Sequence, residues 1–310
     1  ILITGGAGFI GSHVADQLVT IGHDLAVVDN LSIGKREYVP AAAQFYPYDI
    51  KSPETVELIR GWRPQVIVHH AAQMSVQVSV SDPIFDAREN ILGTLNLLEA
   101  SRKNGVRKVI FSSSGGAGYG EQEYFPADEK HPLRPVSPYG AAKFAGETYV
   151  RIFAELYGMQ TLTMRYFNVF GPRQDPTSTY AAVIPRFITS VLRGVPPTVY
   201  GDGLQTRDFT YIDNVIHANF AACLAPKAAC GKVVNIACGE RVSLLDILEI
   251  VYGLAGKRVL PKFEPGRAGD VRDSLADISL ARDLIGFDPK VAFRDGLEKT
   301  FDWFRERESA

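Results

Sequence analysis

The 310-residue chain is 46% hydrophobic and 22% charged, an ordinary globular composition long enough for one large domain or two sharing a cleft. Its formal net charge of −2 creates no general basic field, which argues against nucleic acid or an anionic membrane as a partner. It has no apolar run of roughly eighteen residues to cross a bilayer, and its opening, ILITGG, has no leader pattern, so a cytoplasmic protein is expected.

In chain order, short β-branched runs predict strands at 1–4, 25–29, 66–70, 108–113 and 161–166, with helical patterns between them at 9–21, 53–61, 83–104 and 138–157. That alternation predicts an α/β fold of the Rossmann type, a doubly wound parallel sheet over residues 1–168. Continuous apolar runs such as VIVHH and KVIFSSS suit strands buried on both faces. After Asn168 the rhythm breaks at Gly171-Pro172, Pro196-Pro197 and Gly201-Asp202-Gly203. A smaller C-terminal α/β substrate domain is expected over 169–310, with helices near 181–192, 213–224, 244–255 and 295–307 and a return to the first domain around 205–230. Cys223, Cys230 and Cys238 fall late and lack CxxC spacing, so neither a disulfide framework nor a metal site is expected.

The first strand runs into Thr4-Gly5-Gly6-Ala7-Gly8-Phe9-Ile10-Gly11 and then into a helix. Glycines at 5, 8 and 11 permit a tight turn and close approach to a pyrophosphate, whose charge a helix N-terminus stabilises. Gly5, Gly8, Phe9, Ile10 and Gly11 are therefore expected at a dinucleotide. Asp29 ends the second strand, where a carboxylate accepts from ribose hydroxyls and repels a 2′-phosphate; this selects NAD over NADP, with Lys35 and Arg36 on a solvated loop.

Tyr139 and Lys143 stand four residues apart, on one face of a predicted helix. A phenol is too weak an acid to serve as a base at neutral pH. A neighbouring ammonium and a positive nicotinamide are expected to lower its pKa. Upstream, Phe111-Ser112-Ser113-Ser114-Gly115-Gly116 closes a strand at the sheet's carboxyl edge, and Ser114 is the hydroxyl expected to assist. His69 and His70, at another strand end, read as structural.

Taken together, TGGAGFIGS, VVDNLS, Asp49-Ile50, HHAAQ, SSSGGAGYG, SPYGAAK, RYFNVFGPRQDP, RDFTYIDNV and RAGDVRDS resemble the extended short-chain dehydrogenase/reductase family, and within it the UDP-glucose (UDP-galactose) 4-epimerases. The resemblance spans the whole chain. It implies that Asp29 and Asn30 hold the adenosine ribose, that Asp49 and Ile50 border the adenine, and that Ala71, Ala72 and Gln73 line the pyrophosphate. It places Lys143 on the nicotinamide ribose and Ser114 beside Tyr139. It assigns the UDP-sugar to Asn168, Val183, Tyr200, Arg207, Arg267, Asp270 and Ser274, with the arginines on phosphate oxygens and Tyr200 against the uracil. The implied chemistry is removal of the 4-hydroxyl proton by Tyr139 with hydride passing to NAD⁺. The 4-keto sugar then swings about its diphosphate link, and hydride and proton return to the other face. A homodimer paired through the 83–104 and 138–157 helices is implied as well.

Two departures tune that implication. Related dehydratases and decarboxylases carry an acidic residue after the assisting hydroxyl, whereas residues 115–119 here hold none, and Gly118 stands where an aliphatic residue is usual. Ser274 occupies the position of a side chain beside the sugar; a small residue there leaves room for a 2-acetamido group. The alternatives at this point are another UDP-sugar such as UDP-glucuronate, a net dehydrogenase that releases reduced cofactor, and a non-catalytic NAD-binding protein on the same fold.

Overall fold

The computed structural model describes residues 1–176, 182–266 and 271–308. Seven strands form one wholly parallel sheet: β1 (Leu2–Thr4), β2 (Ala26–Val28), β3 (Gln44–Tyr46), β4 (Val66–His69), β5 (Lys108–Ser114), β6 (Gln160–Tyr166) and β7 (Lys232–Ile236). Their order is β7-β6-β5-β4-β1-β2-β3. The winding reverses between β1 and β4, and a doubly wound sheet opens a ligand crevice at the carboxyl ends of such a pair. Here those ends are Thr4-Gly5 and His69-His70.

Adjacent residues of each strand enter opposite cores, because side chains alternate across a strand. Leu2, Ile67, Val109 and Phe111 pack on one face with Ile59, Leu97, Val150 and Phe153. Ile3, Val68, Ile110 and Met164 pack on the other with Val14, Leu18, Val215 and Ala218. The second core continues without a break into Phe170, Phe187, Val199, Ile247 and Phe301 of the C-terminal region.

The helices are α1 (Phe9–Thr20), α2 (Pro53–Trp62), α3 (Val76–Ser81), α4 (Pro83–Ala87), α5 (Gly93–Lys103), α6 (Gly115–Tyr119), α7 (Pro138–Tyr157), α8 (Val183–Arg193), α9 (Ile212–Leu224), α10 (Leu244–Ala255), α11 (Ser279–Ile285) and α12 (Phe293–Glu308). The helix expected over 83–104 is divided, and the helical run starts earlier, at Val76. Ser75 caps α3, accepting from Val78 N at 3.1 Å. Asp82 caps α4, accepting from Phe85 N at 2.9 Å, and Pro83 at the first helical position forces a restart. A π-helical turn, Arg88–Leu92, joins α4 to α5.

Two strands of the seven-stranded sheet were not expected from the sequence. β3 is a three-residue edge strand, and β7 pairs with β6 after the long excursion through α8 and α9. Three short strand pairs build the C-terminal region: Val169–Phe170 with Thr210–Tyr211, Thr206–Arg207 with Val242–Ser243, and Thr198–Tyr200 with Lys262–Glu264. α8 packs there against α10 and α12, while α9 packs back on α1.

Candidate active site

The turn after β1 is fixed by its own packing. Gly5 has φ +71°, its N–H donates to Val28 O at 2.8 Å, and a Cβ there would lie 2.6 Å from Ala71 N. A Cβ on Gly11 would lie 2.2 Å from Gly5 O. At Gly8, the N-cap of α1, no side chain caps the helix and the first turn carries no acid. A Cβ there would meet only Gly5 O, at 3.3 Å. This uncapped terminus fits the phosphates of NAD, whose charge would take the donors left free. Asp29 is buried and ties the turn down, accepting from Ala7 N at 2.9 Å and Leu31 N at 2.8 Å. Burial raises its carboxyl above the usual range, and the two backbone donors pull it back.

Asn30 Nδ2 donates to Asp49 Oδ2 at 3.2 Å, which joins two of the four residues expected at the adenosine. Ile50 is buried against Gly93, and its carbonyl accepts from Asn96 Nδ2 at 2.6 Å. Ala71 N donates to Thr4 Oγ1 at 3.3 Å, at the crevice itself. The Gln73 side chain turns inward instead: its Nε2 donates to Ser75 O at 2.9 Å and to Asp86 Oδ1 at 2.7 Å. His69 bridges Thr4 and Thr94, and His70 meets Ser112 Oγ at 2.7 Å. Burial lowers both imidazoles, His70 to about 3, so both stay neutral, in keeping with a structural part.

Ser114, Tyr139 and Lys143 meet where β5 ends. Ser137 caps α7 by accepting from Gly140 N at 3.2 Å, and Pro138 sits at its first position, so the helix starts one residue before Tyr139. Lys143 is buried, donates to Ser112 O at 3.0 Å, and lies 6.0 Å from the centroid of the Tyr139 ring. Ser114 caps α6, and its hydroxyl lies near enough to Tyr139 to draw the phenol pKa down.

The protein's own groups do not favour the phenolate. Burial pushes the Tyr139 phenol up to about 12, Asp86 pushes it further in that direction, and Ser114 pulls it down. Burial also lowers the Lys143 ammonium to about 8 against the pull of Asp86 and Glu147. The ammonium alone therefore does not produce the lowered phenol pKa the motif suggests; a low-dielectric site costs the phenolate more than one cation returns. Asp86 is what the sequence reading missed, and it had no motif to announce it.

One turn beyond Lys143, Glu147 forms a buried bidentate pair with Arg165 of β6, with Nη2 to Oε2 at 2.6 Å. Arg165 Nη1 donates to Tyr119 OH at 2.8 Å, and Tyr119 OH donates to Asn235 Oδ1 at 2.8 Å. Asn235 Nδ2 donates in turn to Ala127 O and Asp277 O. This chain of bonds ties α7 and α6 to the segment bearing Ser274.

That segment forms a second cluster. Ser274 N donates to Thr206 O at 3.1 Å, beside Arg207, whose Nη1 donates to the carbonyls of Thr206 and Arg272. Asn168 Nδ2 donates to Asp208 O at 3.0 Å. The Tyr200 carbonyl accepts from Gln205, and its ring lies 5.8 Å from the Arg186 guanidinium. Val183 opens α8, half-buried. Asp208 binds the cluster together by accepting from Cys238, Gly239 and Ala276 backbone N–H groups, and burial raises its carboxyl to about 7. Ser274 is 3% exposed, and its hydroxyl has no hydrogen-bond partner among the described residues. Arg267 and Asp270 lie outside the described residues.

No helix among the described residues is long and apolar enough to cross a membrane. Residues 1–237 match the model of the NAD dependent epimerase/dehydratase family. The chain is 40% identical over 311 residues to the UDP-glucose 4-epimerase of Mycolicibacterium smegmatis, covering 99% of this chain and 98% of that one. A crystal structure of UDP-glucose 4-epimerase with UDP-glucose from Thermotoga maritima superposes with a TM-score of 0.95 at 43% identity, covering 99% of each chain. A UDP-N-acetylglucosamine 4-epimerase from Methanobrevibacter ruminantium, in complex with UDP-N-acetylmuramic acid, superposes with a TM-score of 0.93 at 37% identity, covering 99% of this chain and 98% of that one. The chain belongs to the NAD dependent epimerase/dehydratase family and is an NAD-dependent isomerase of the UDP-glucose 4-epimerase-like kind.

Proposed function

We propose that this family member interconverts UDP-glucose and UDP-galactose by inverting C4, and that it accepts UDP-N-acetylglucosamine and UDP-N-acetylgalactosamine as well. The observation that carries the reading is the meeting of Ser114, Tyr139 and Lys143 at the edge of β5, beside the uncapped end of α1. NAD, when bound, supplies the reversible hydride acceptor.

The chain's own residues do the rest. Tyr139 takes the proton from the 4-hydroxyl and gives it back after the sugar has turned. Its phenol, raised by burial, releases that proton only when positive charge stands nearby, so chemistry is gated by a loaded cofactor site. Ser114, beside the phenol, gives its hydrogen bond to the sugar oxygen as charge develops. Lys143 orients the nicotinamide ribose and balances the phenolate. Asp29, Asn30, Asp49 and Ile50 hold the adenosine, while Asn168, Val183, Tyr200 and Arg207, with Arg267 and Asp270, hold the UDP. A firmly held diphosphate and a loosely held sugar are what inversion requires.

Ser274 supports the acetamido sugars: it is small, and its hydroxyl has no competing bond among the described residues. The Methanobrevibacter relative is in line with that breadth. Exposed Val80, Ile84, Leu92 and Leu156 on the helices flanking α7 and on α7 itself support a homodimer closed over this face. Three free cysteines suit a cytoplasmic location.

The test is incubation of purified protein with UDP-glucose and with UDP-N-acetylglucosamine separately, and chromatography of the epimers without added reductant. Both C4 epimers are expected, and Tyr139→Phe should lower the rate by roughly 10²–10⁴-fold. Conversion of neither sugar by NAD-loaded protein would overturn the substrate assignment.

A further inference from the structure

α6 is a short turn of helix whose sequence, GGAGY, has a single side chain larger than a methyl group. A Cβ on Gly116 would meet nothing within 4 Å and one on Gly118 only Leu133, at 3.6 Å, so packing alone holds these positions loosely. Ala117 between them is placed closely. Its N–H donates to Ser114 Oγ at 3.3 Å, and its carbonyl oxygen would lie 2.3 Å from a Cβ on Gly140. The turn is thus interposed between Ser114, at the end of β5, and the start of α7 beside Tyr139. Because Ser114 Oγ accepts from Ala117, its own hydrogen remains to be given to another oxygen.

Tyr119 ends the turn, and its hydroxyl is used twice: it accepts from Arg165 Nη1 at 2.8 Å and donates to Asn235 Oδ1 at 2.8 Å. Arg165 grips both carboxylate oxygens of Glu147, and Asn235 Nδ2 donates to Ala127 O at 3.1 Å and Asp277 O at 3.0 Å. Every side-chain nitrogen and oxygen of these four residues is bonded, and none of the four is more than 5% exposed. Burial pushes the Tyr119 phenol up to about 12, so it keeps the proton it donates. A buried ion pair adds little stability over apolar side chains of the same volume, so stability alone does not account for the network. A second bond, Arg134 N to Gly118 O at 3.0 Å, ties the turn to a loop, whereas the Tyr119 hydroxyl ties it to β6 and β7.

We propose that Tyr119 is a positioning residue: anchored to Arg165 and Asn235, it holds α6 between Ser114 and the start of α7, and through the Ala117 amide it fixes the direction in which the Ser114 hydroxyl gives its hydrogen. With the anchor released, the loosely packed turn shifts, Ala117 N leaves Ser114 Oγ, and the serine hydroxyl is no longer held in one orientation.

The catalytic consequence rests on the epimerase reading; the hold on α6 does not, so the two are measured separately. Tyr119→Phe keeps the ring and removes only the hydroxyl, and the bond from Arg134 to Gly118 remains to keep the turn. In NAD-bearing protein well below its unfolding temperature, hydrogen exchange at the Ala117 amide should quicken roughly tenfold or more. In the same protein kcat should fall about tenfold with KM for the UDP-sugar held within about twofold, inside the roughly hundredfold loss that about 1 Å of misplacement brings. The deciding measurement is the double-mutant cycle with Ser114→Ala. If Tyr119 acts through the serine, Tyr119→Phe changes kcat of the Ser114→Ala protein by less than about twofold. Loss by the same factor in both backgrounds, or in neither, overturns the proposal, as does an Ala117 amide that exchanges no faster. Should Tyr119→Phe not accumulate folded, Asn235→Leu, which takes away the acceptor of the same hydroxyl, enters the same cycle. If the unaltered protein epimerises no UDP-sugar, the functional reading falls, and exchange at Ala117 still decides whether Tyr119 holds α6.

Discussion

Two glycine-rich turns leave the carboxyl edge of the sheet, one after β1 and one after β5, and they are built on opposite terms. In the first, Gly5 and Gly11 are demanded by the protein itself, since an added Cβ would fall 2.6 Å from Ala71 N and 2.2 Å from Gly5 O. In the second, Gly115 is equally constrained, 2.0 Å from Phe167, but a Cβ on Gly116 would find nothing within 4 Å and one on Gly118 only Leu133 at 3.6 Å. The turn after β1 is therefore settled before any ligand arrives. The turn after β5, which the proposed function places on the sugar side next to Ser114, keeps space that its own packing does not require. That asymmetry suits the proposed function, in which a cofactor is held still while a sugar turns over.

The hardest blow to the comparison is Gly11→Ala. The methyl has only backbone to meet, so the turn must open, at about 1–3 kcal/mol by analogy with overpacked cores. Because the same turn aims the N-terminus of α1, the purified protein should carry at most about a tenth of its normal NAD, one tenfold step being 1.4 kcal/mol. Thermal unfolding and cofactor content measure the two effects. A variant with a full complement of NAD would show that the turn is less rigid than its contacts imply.

What the sequence disclosed follows the same division. The turn after β1, Asp29 and the Tyr139–Lys143 spacing were legible because each depends on neighbours a few residues away or on a strand end. β7 was not, because it pairs with β6 only after α8 and α9 have intervened. β3 was hidden by its length of three residues and its exposed edge. That burial and Asp86 raise the Tyr139 phenol in the chain alone is a tertiary fact, whereas the YxxxK pattern reveals only the cation. Gln73 sits within a motif that suggests a ligand contact, yet its amide is spent on Asp86 and Ser75. Ser274 was named from position alone; that its hydroxyl lacks a partner could be seen only in the fold.

A medium-sized effect is expected on the sugar side from Ser274→Tyr. The added ring enters where a 2-acetamido group would lie, so kcat/KM for UDP-N-acetylglucosamine should fall roughly 10–200-fold, the range expected of pocket contacts, with UDP-glucose affected much less. Kinetics on both sugars decide it. Equal loss on both would mean that the ring disturbs the segment tied to Thr206 and Asp208 rather than the pocket.

The smallest effect, and the cleanest, belongs to Gly116→Ala. No protein atom opposes the methyl, and position 116 lies within α6, where alanine is favoured over glycine by about 1 kcal/mol. The variant should be as stable as the unaltered protein or slightly more so by thermal unfolding, and should retain its NAD. Its kinetics then isolate the ligand's own demand on that space. If UDP-glucose turnover holds within about twofold while UDP-N-acetylglucosamine slows by a pocket-sized factor, the room beside Ser114 serves the larger sugar. If both slow together while stability rises, the glycine serves motion of α6 during the turn of the sugar, and the asymmetry between the two turns is one of mobility rather than of volume.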